Sequence, residues 1–364
     1  MSRLERDETR QHLRTEFLTF PFSPADINGM CVQYQAYKFS VAPMMDWTDR
    51  HCRVFHRQLT RHALLYTEMV TADAVLRGDR ERLIGYSDIE HPVALQLGGS
   101  DPVKLADAAE TGAAFGYCEI NLNVGCPSDR VQEGRFGACL MAEPDLVANC
   151  IQAMQSRVAI PVTVKCRIGI DDQDDEADLQ RFVERVSATG CTRFIVHARK
   201  AWLKGLSPKE NREVPPLDFA RVYRLKQSRP DLTIVINGGI ETLEACDAHL
   251  KHVDGVMLGR AAYHDPALLG EVDQRYFDPS LPVRSRRDAL LSLIPYAERH
   301  IASGGRLSNI TRHVLGLYHG RPRGKQFRRL LSENAIRPGA SATLLQDAVN
   351  LVEYAGSVTE FSAA

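Results

Sequence analysis

A thiol at Cys126 sits within Asn121-Leu122-Asn123-Val124-Gly125-Cys126-Pro127-Ser128. Gly125 frees the backbone before it, Pro127 stiffens the backbone after it, and Asn121 and Asn123 put carboxamides beside it. The apolar run Tyr117–Ile120 just before it predicts a buried strand. A cysteine on a stiff polar loop at a strand end is where a barrel enzyme carries a reactive group. The competing reading is a buried cysteine that acts only as a small hydrophobe.

Residues that a core would not select recur at the ends of the other apolar runs: Ala42-Pro43-Met44, Thr67-Glu68-Met69, Gln96, Lys165, His197, Asn237-Gly238-Gly239 and Gly259-Arg260. Singly, Lys165 reads as a rim ion pair, His197 as a satisfied core histidine and Gly238-Gly239 as a turn. Their recurrence at successive strand ends is what those readings leave unexplained. The last two ends suit a phosphate: glycines let backbone N–H groups approach its oxygens, and Arg260 adds a charged donor. Gln96, Lys165 and His197 would then face a ring, and such donors suit the pyrimidine edge of a flavin. The phosphate pair alone fits a sugar-phosphate isomerase equally well.

The elements that must position these groups alternate. Candidate strands are Lys38–Pro43, Leu64–Thr67, Val93–Leu97, Cys118–Ile120, Val162–Cys166, Arg193–Val196, Thr233–Ile236 and Gly255–Leu258. Helical spacing lies between them, over Asp101–Thr111 behind an Asp101-Pro102 start, over Pro144–Val158, and over Ala177–Thr189 up to Gly190. Eight strand–helix units predict an α/β fold, a TIM (β/α)8 barrel; a doubly wound sheet competes but gives no reason for such residues at almost every strand end. After Pro279–Pro282 the pattern is helical to the end and predicts an all-α bundle. The expected divisions are a tail over residues 1–36, a barrel over 37–279 and a helical domain over 280–364.

The 364 residues are 44% hydrophobic and 25% charged, an ordinary globular mix, and a net charge of −1 neither favours nor excludes nucleic acid. Nine cysteines without a C-x-x-C pair suit neither a disulfide framework nor a zinc site and fit a reducing cytosol; no metal is expected. No apolar run approaches membrane-spanning length and no signal peptide is visible. Residues 284–337 hold twelve Lys/Arg against three acids, a net +9. That run is either a solvated face or a phosphate-backbone surface, with Lys325 and Arg328 in its densest part. Lys200, Lys204, Lys209 and Arg212, with Trp202 among them, form a second candidate RNA contact.

Together the runs Ala42-Pro43-Met44-Met45-Asp46-Trp47-Thr48-Asp49, Gln96-Leu97-Gly98-Gly99-Ser100-Asp101-Pro102, the Cys126 motif, Asn211-Arg212-Glu213-Val214-Pro215-Pro216 and Asn237-Gly238-Gly239 resemble the tRNA-dihydrouridine synthases, most closely their A subfamily. The resemblance spans Lys38 to Leu331. It implies an FMN-holding TIM barrel and a helical RNA-binding domain, in a cytoplasmic enzyme that reduces the C5=C6 bond of D-loop uridines 20 and 20a in tRNA. NADPH would be the reductant, and no obligatory protein partner is evident. Position by position, it implies that Ala42, Pro43, Met44 and Gln96 line the flavin, Lys165 and His197 contact its ring, and Asn237, Gly238, Gly239, Gly259 and Arg260 serve its phosphate end. Asn123, Lys209, Asn211, Arg212, Lys325 and Arg328 fall to the substrate tRNA, and Cys126 to the proton donor. In that chemistry a hydride passes from flavin N5 to C6 and Cys126, as a protonated thiol, supplies the proton at C5. The target base must leave its stack to reach the barrel. Two rivals differ in class. A small-molecule flavin barrel of the dihydroorotate-dehydrogenase kind needs no basic helices, and an RNA-binding protein without catalysis has no use for Cys126, Lys165 and His197 together.

Overall fold

All eight apolar runs become strands in the computed structural model, which describes residues 36–354 other than 129, 130, 132, 174 and 175. The strands are β1 (Phe39–Val41), β2 (Leu64–Tyr66), β3 (Val70–Thr71), β4 (Val93–Gly98), β5 (Glu119–Val124), β6 (Val162–Arg167), β7 (Arg193–His197), β8 (Thr233–Asn237) and β9 (Gly255–Leu258). Every pairing among them is parallel, β1 joins β9 to β2, and β2 joins β4, so the sheet closes. β3 prolongs the line of β2 along β4, leaving eight positions around the ring. Closure rules out the doubly wound sheet: this is a TIM barrel followed by helices.

Period-two alternation sends residues to two separate cores. Ala42, Leu64, Tyr66, Ala94, Ile195, Val235 and Met257 fill the barrel interior. The larger apolar layer, with Leu95, Ile120, Val164, Phe194 and Ile236, lies between strands and helices. Local signals work as anticipated at Pro102–Phe115: the Asp101 carboxylate accepts from the N–H groups of Val103 (3.0 Å) and Lys104 (3.2 Å), and left-handed Gly116 ends the helix.

Two features depart from the sequence reading. β5 does not stop at Ile120 but runs through Val124, because Asn121 and Asn123 satisfy each other's neighbours inside the barrel and need no solvent. Cys118 is disulfide-bonded, whereas Cys52, Cys126, Cys139, Cys150, Cys166, Cys191 and Cys246 are free; the absence of a C-x-x-C pair does not exclude a bridge.

The C-terminal helices include Arg286–Leu291, Ile294–Ala302, Leu307–Val314, Gly324–Asn334 and Thr343–Glu353. The first and third of these pack on the barrel helix Arg50–Leu59. Asp49 caps that helix through the Cys52 N–H at 3.0 Å and also takes Arg312 Nη2 at 2.8 Å and His313 Nε2 at 3.0 Å. Burial would raise the Asp49 carboxyl, but the bonds from His313 and Cys52 hold it well below the usual range. No helix of the described residues is long and apolar enough to cross a membrane.

Candidate active site

Cys126 follows β5 at the end of the barrel where the strands terminate, and its loop is tied from three sides. Asn123 Oδ1 accepts from the N–H groups of Gly125 and Cys126, both at 3.0 Å. Arg167 Nε donates to the Gly125 carbonyl at 3.0 Å. Ala138 N donates to the Cys126 carbonyl at 2.9 Å. Gly137 makes that last approach possible, since a Cβ there would lie 2.5 Å from the Cys126 oxygen. The thiol is half-buried, with Ser128 Oγ at 3.5 Å. Gly125 does not adopt a left-handed backbone, and a Cβ there would make only ordinary contacts with Cys166 and Arg167, so neither conformation nor space demands glycine at this position.

The strand register brings the expected partners together. Asn123 pairs with Lys165 and Val124 with Cys166 across β5 and β6, Arg167 with His197 across β6 and β7, and His197 with Asn237 across β7 and β8. Lys165 Nζ donates to Asn237 Oδ1 at 3.1 Å, and Asn237 Nδ2 donates to the Met257 carbonyl at 2.8 Å. Gln96 is buried between two asparagines: its Nε2 donates to Asn121 Oδ1 (2.8 Å) and its Oε1 accepts from Asn123 Nδ2 (2.9 Å). Ala42 N donates to the Leu258 carbonyl at 2.8 Å, and Met44 is braced by Thr48 Oγ1 at 2.9 Å. A Cβ built on Gly259 would stand 3.7 Å from both Ala42 Cβ and Met44 Sδ, so β1 and β9 end against one another.

Positive charge gathers here to a degree the sequence motifs understate. Burial and then Arg167 push the Lys165 ammonium down to about 8. Burial, then Arg212 and Arg199, push the Arg167 guanidinium down to about 10. Burial, followed by Arg167 and Lys165, keeps His197 neutral far below its ordinary range. Burial and Arg260 lower both Arg199 and Arg212. Arg260 pairs with Glu213 at 2.8 Å, and the Arg199 Nε is buried without a partner among the described residues. Such a gathering calls for an anion. Arg167 and Arg199 were missed in the sequence because neither belongs to a glycine motif; lying two residues beyond Lys165 and His197 was the available signal.

Gly238 and Gly239 have positive φ; a Cβ on Gly238 would sit 2.4 Å from the His197 ring and one on Gly239 2.5 Å from Leu217, so Gly238 also lets the His197 ring approach the backbone. The Gly259 side is the less crowded one. The orphaned Arg199 nitrogen and the cluster of cations fit a phosphate, and Lys165 and His197 stand on the adjacent strands β6 and β7. This donor set fits FMN.

The candidate RNA residues divide. Lys209 and Arg212 are exposed on the loop after β7, and Lys325 is exposed on the helix Gly324–Asn334 with Arg328 half-exposed. Asn211 is fully buried: its Nδ2 donates to the carbonyls of Trp202 (2.9 Å) and Leu206 (3.1 Å), and its Oδ1 accepts from Trp202 N (2.8 Å). It holds the loop's shape and leaves Trp202 exposed at its surface, with Lys200 Nζ 5.1 Å from the ring centroid.

A dihydrouridine synthase family model matches residues 40–353. A tRNA-dihydrouridine(20/20a) synthase of Yersinia pestis is 59% identical over 321 residues, covering 88% of this chain and 93% of its own. Enzymes of the same name from Xanthomonas campestris and Escherichia coli are 60% and 58% identical, over 85% and 88% of this chain and 92% and 96% of theirs. Among solved structures, a 2-naphthoyl-CoA reductase bound to 2-naphthoyl-CoA matches with a TM-score of 0.52 at 9% identity, over 68% of this chain and 52% of that one, a likeness of fold.

Proposed function

The chain belongs to the dihydrouridine synthase family, and on that premise we propose that it reduces the C5=C6 bond of D-loop uridines 20 and 20a in tRNA to 5,6-dihydrouridine, in the cytoplasm. The observation that carries this reading is the Cys126 thiol, fixed by Asn123 and Arg167 at the same strand ends as Lys165 and His197. FMN, held by Ala42, Pro43, Met44, Gln96, Lys165, His197, Asn237, Gly238, Gly239, Gly259 and Arg260, would supply the hydride after reduction by NADPH.

Cys126 is the acid that delivers a proton to C5, and its turn keeps the thiol aimed at one place. Lys165 donates from a protonated amine, and neutral His197 donates one ring N–H without adding charge. Asn123, Lys209 and Arg212 engage the tRNA near the mouth, with Asn211 acting through the loop it holds. Residues 37–279 perform the reduction, and residues 280–364, through Lys325 and Arg328, grip the tRNA backbone. The test is direct: the purified protein should be yellow and release FMN on denaturation. With NADPH it should raise the mass of a D-loop uridine by two hydrogens in tRNA from a strain lacking this activity. A colourless protein that takes up no FMN, or tRNA of unchanged mass, would refute the reading.

A further inference from the structure

We propose that Glu119, on the floor of the barrel, is a positioning residue for Cys126, acting through a one-directional chain of buried side-chain hydrogen bonds. The proposal rests on the function proposed above and concerns how its proton donor is aimed.

The chain starts at the cysteine turn. The N–H groups of Gly125 and Cys126 donate to Asn123 Oδ1, and Asn123 Nδ2 donates to Gln96 Oε1 at 2.9 Å. Gln96 Nε2 donates to Asn121 Oδ1 at 2.8 Å, Asn121 Nδ2 to Thr163 Oγ1 at 2.8 Å, and the Thr163 hydroxyl to Glu119 Oε1 at 2.6 Å. Tyr66 donates to the same carboxyl oxygen at 2.7 Å. All of these side chains are buried. Tyr37 and Arg193 flank the carboxyl, and burial raises its pKa.

Three consecutive carboxamides could point either way, because a carboxamide offers a donor at one end and an acceptor at the other. Both ends set the same direction: at the turn the N–H groups of Gly125 and Cys126 can only donate, and at the floor the Glu119 carboxyl accepts. A hydroxyl has one proton, so Thr163, having donated to Glu119, can only accept from Asn121. That turns the Asn121 oxygen toward Gln96, the Gln96 oxygen toward Asn123, and the Asn123 oxygen toward the cysteine turn. With an apolar residue at 119, the Thr163 proton loses its acceptor and Asn121 is the neighbour left to take it, which opposes the direction that the turn imposes. Each reversal toward Thr163 turns an Asn123 NH2 group on two backbone N–H groups, so the hold on the turn weakens.

Glu119→Leu and Glu119→Gln separate this from a role in stability alone. Glutamine offers one oxygen to both hydroxyls and preserves the direction, so Glu119→Gln should match wild type. Glu119→Leu should alkylate at Cys126 with iodoacetamide roughly tenfold faster in the FMN-loaded protein, because the turn has opened. It should also reduce tRNA roughly tenfold more slowly. If Glu119→Leu does not fold, Thr163→Val against Thr163→Ser poses the same question one link nearer the turn. A Leu or Val variant with wild-type alkylation and reduction, or a Gln variant as impaired as Leu, would overturn the proposal. A wild-type enzyme that reduces no tRNA would instead refute the proposed function, while the alkylation arm would still decide the chain.

Discussion

The barrel mouth and the C-terminal helices both concentrate positive charge, and they hold it in opposite ways. At the mouth, Lys165 and Arg167 are lowered first by burial and then by neighbouring cations, Lys165 by Arg167 and Arg167 by Arg212 and Arg199. On the helices, Lys325 is exposed and Arg329 already pairs with Glu333 at 2.8 Å. Other cations of the basic run turn inward: Arg284 Nε donates to the Gln58 carbonyl, Arg286 Nε to that of Leu317, and Arg312 to Asp49. A buried charge requires one anion in one place, whereas an exposed one makes screened, interchangeable contacts. The mouth should therefore respond to substitution in chemistry and flavin binding, and the helices in tRNA affinity alone.

The largest expected effect tests the mouth. Cys126→Ala should slow dihydrouridine formation by about 10²- to 10⁴-fold while NADPH consumption by the flavin continues. Equal loss in both assays would mean that the cysteine does more than deliver a proton. Next, Arg260→Ala should weaken FMN binding by roughly 10- to 100-fold, the range for one charged hydrogen bond, as read by flavin-fluorescence titration. The melting temperature without FMN should barely move, since Arg260 loses only a solvent-exposed pair with Glu213. Unchanged retention would move the phosphate elsewhere.

A smaller effect follows from Lys165. Its ammonium titrates near 8 in the free protein, and a ring acceptor favours the charged form and raises that value. Above pH 8, binding must then take up a proton, so FMN affinity should fall with rising pH, by at most about tenfold per unit. Below pH 8 the lysine is charged in both states and contributes no slope. Lys165→Met should abolish the dependence; its persistence would assign it to another group. The smallest effect belongs to the helices. Replacing Lys325 and Arg328 together should cost a few-fold in tRNA affinity and reduce the log–log salt slope by roughly one unit per lost phosphate contact. NADPH oxidation should not change. A double variant with wild-type slope would make this a solvated face and sharpen the contrast with the mouth.

The barrel was legible because a strand's apolar run and a helix's cap are local. Phe39–Val41 and Gly255–Leu258 were recognisable without each other, and Asp101-Pro102 marked its helix alone. The polar strand ends carried as clear a signal, since Lys165 and His197 stand where a core would not place them. The basic count was less informative, because charge in a sequence does not say whether Arg312 faces an RNA or Asp49.

By itself, then, the sequence determined the alternating elements, the order of strand ends around the ring and the residue types delivered to one face. Only the tertiary structure decided which polar groups are satisfied by one another. Asn211 looked like a loop residue able to reach RNA, but folding places its amide inside its own loop. Asn121 and Asn123 looked like the polar end of a strand, but register with Gln96 and Thr163 makes them its interior. The gathering of Arg167, Arg199, Arg212 and Arg260 likewise forms only when the ends of β6, β7 and β9 come round to one face of the closed sheet. The reason is range: propensity and capping act within a few residues, whereas hydrogen-bond partners and charge neighbours at this site lie far apart in sequence and meet through strand register.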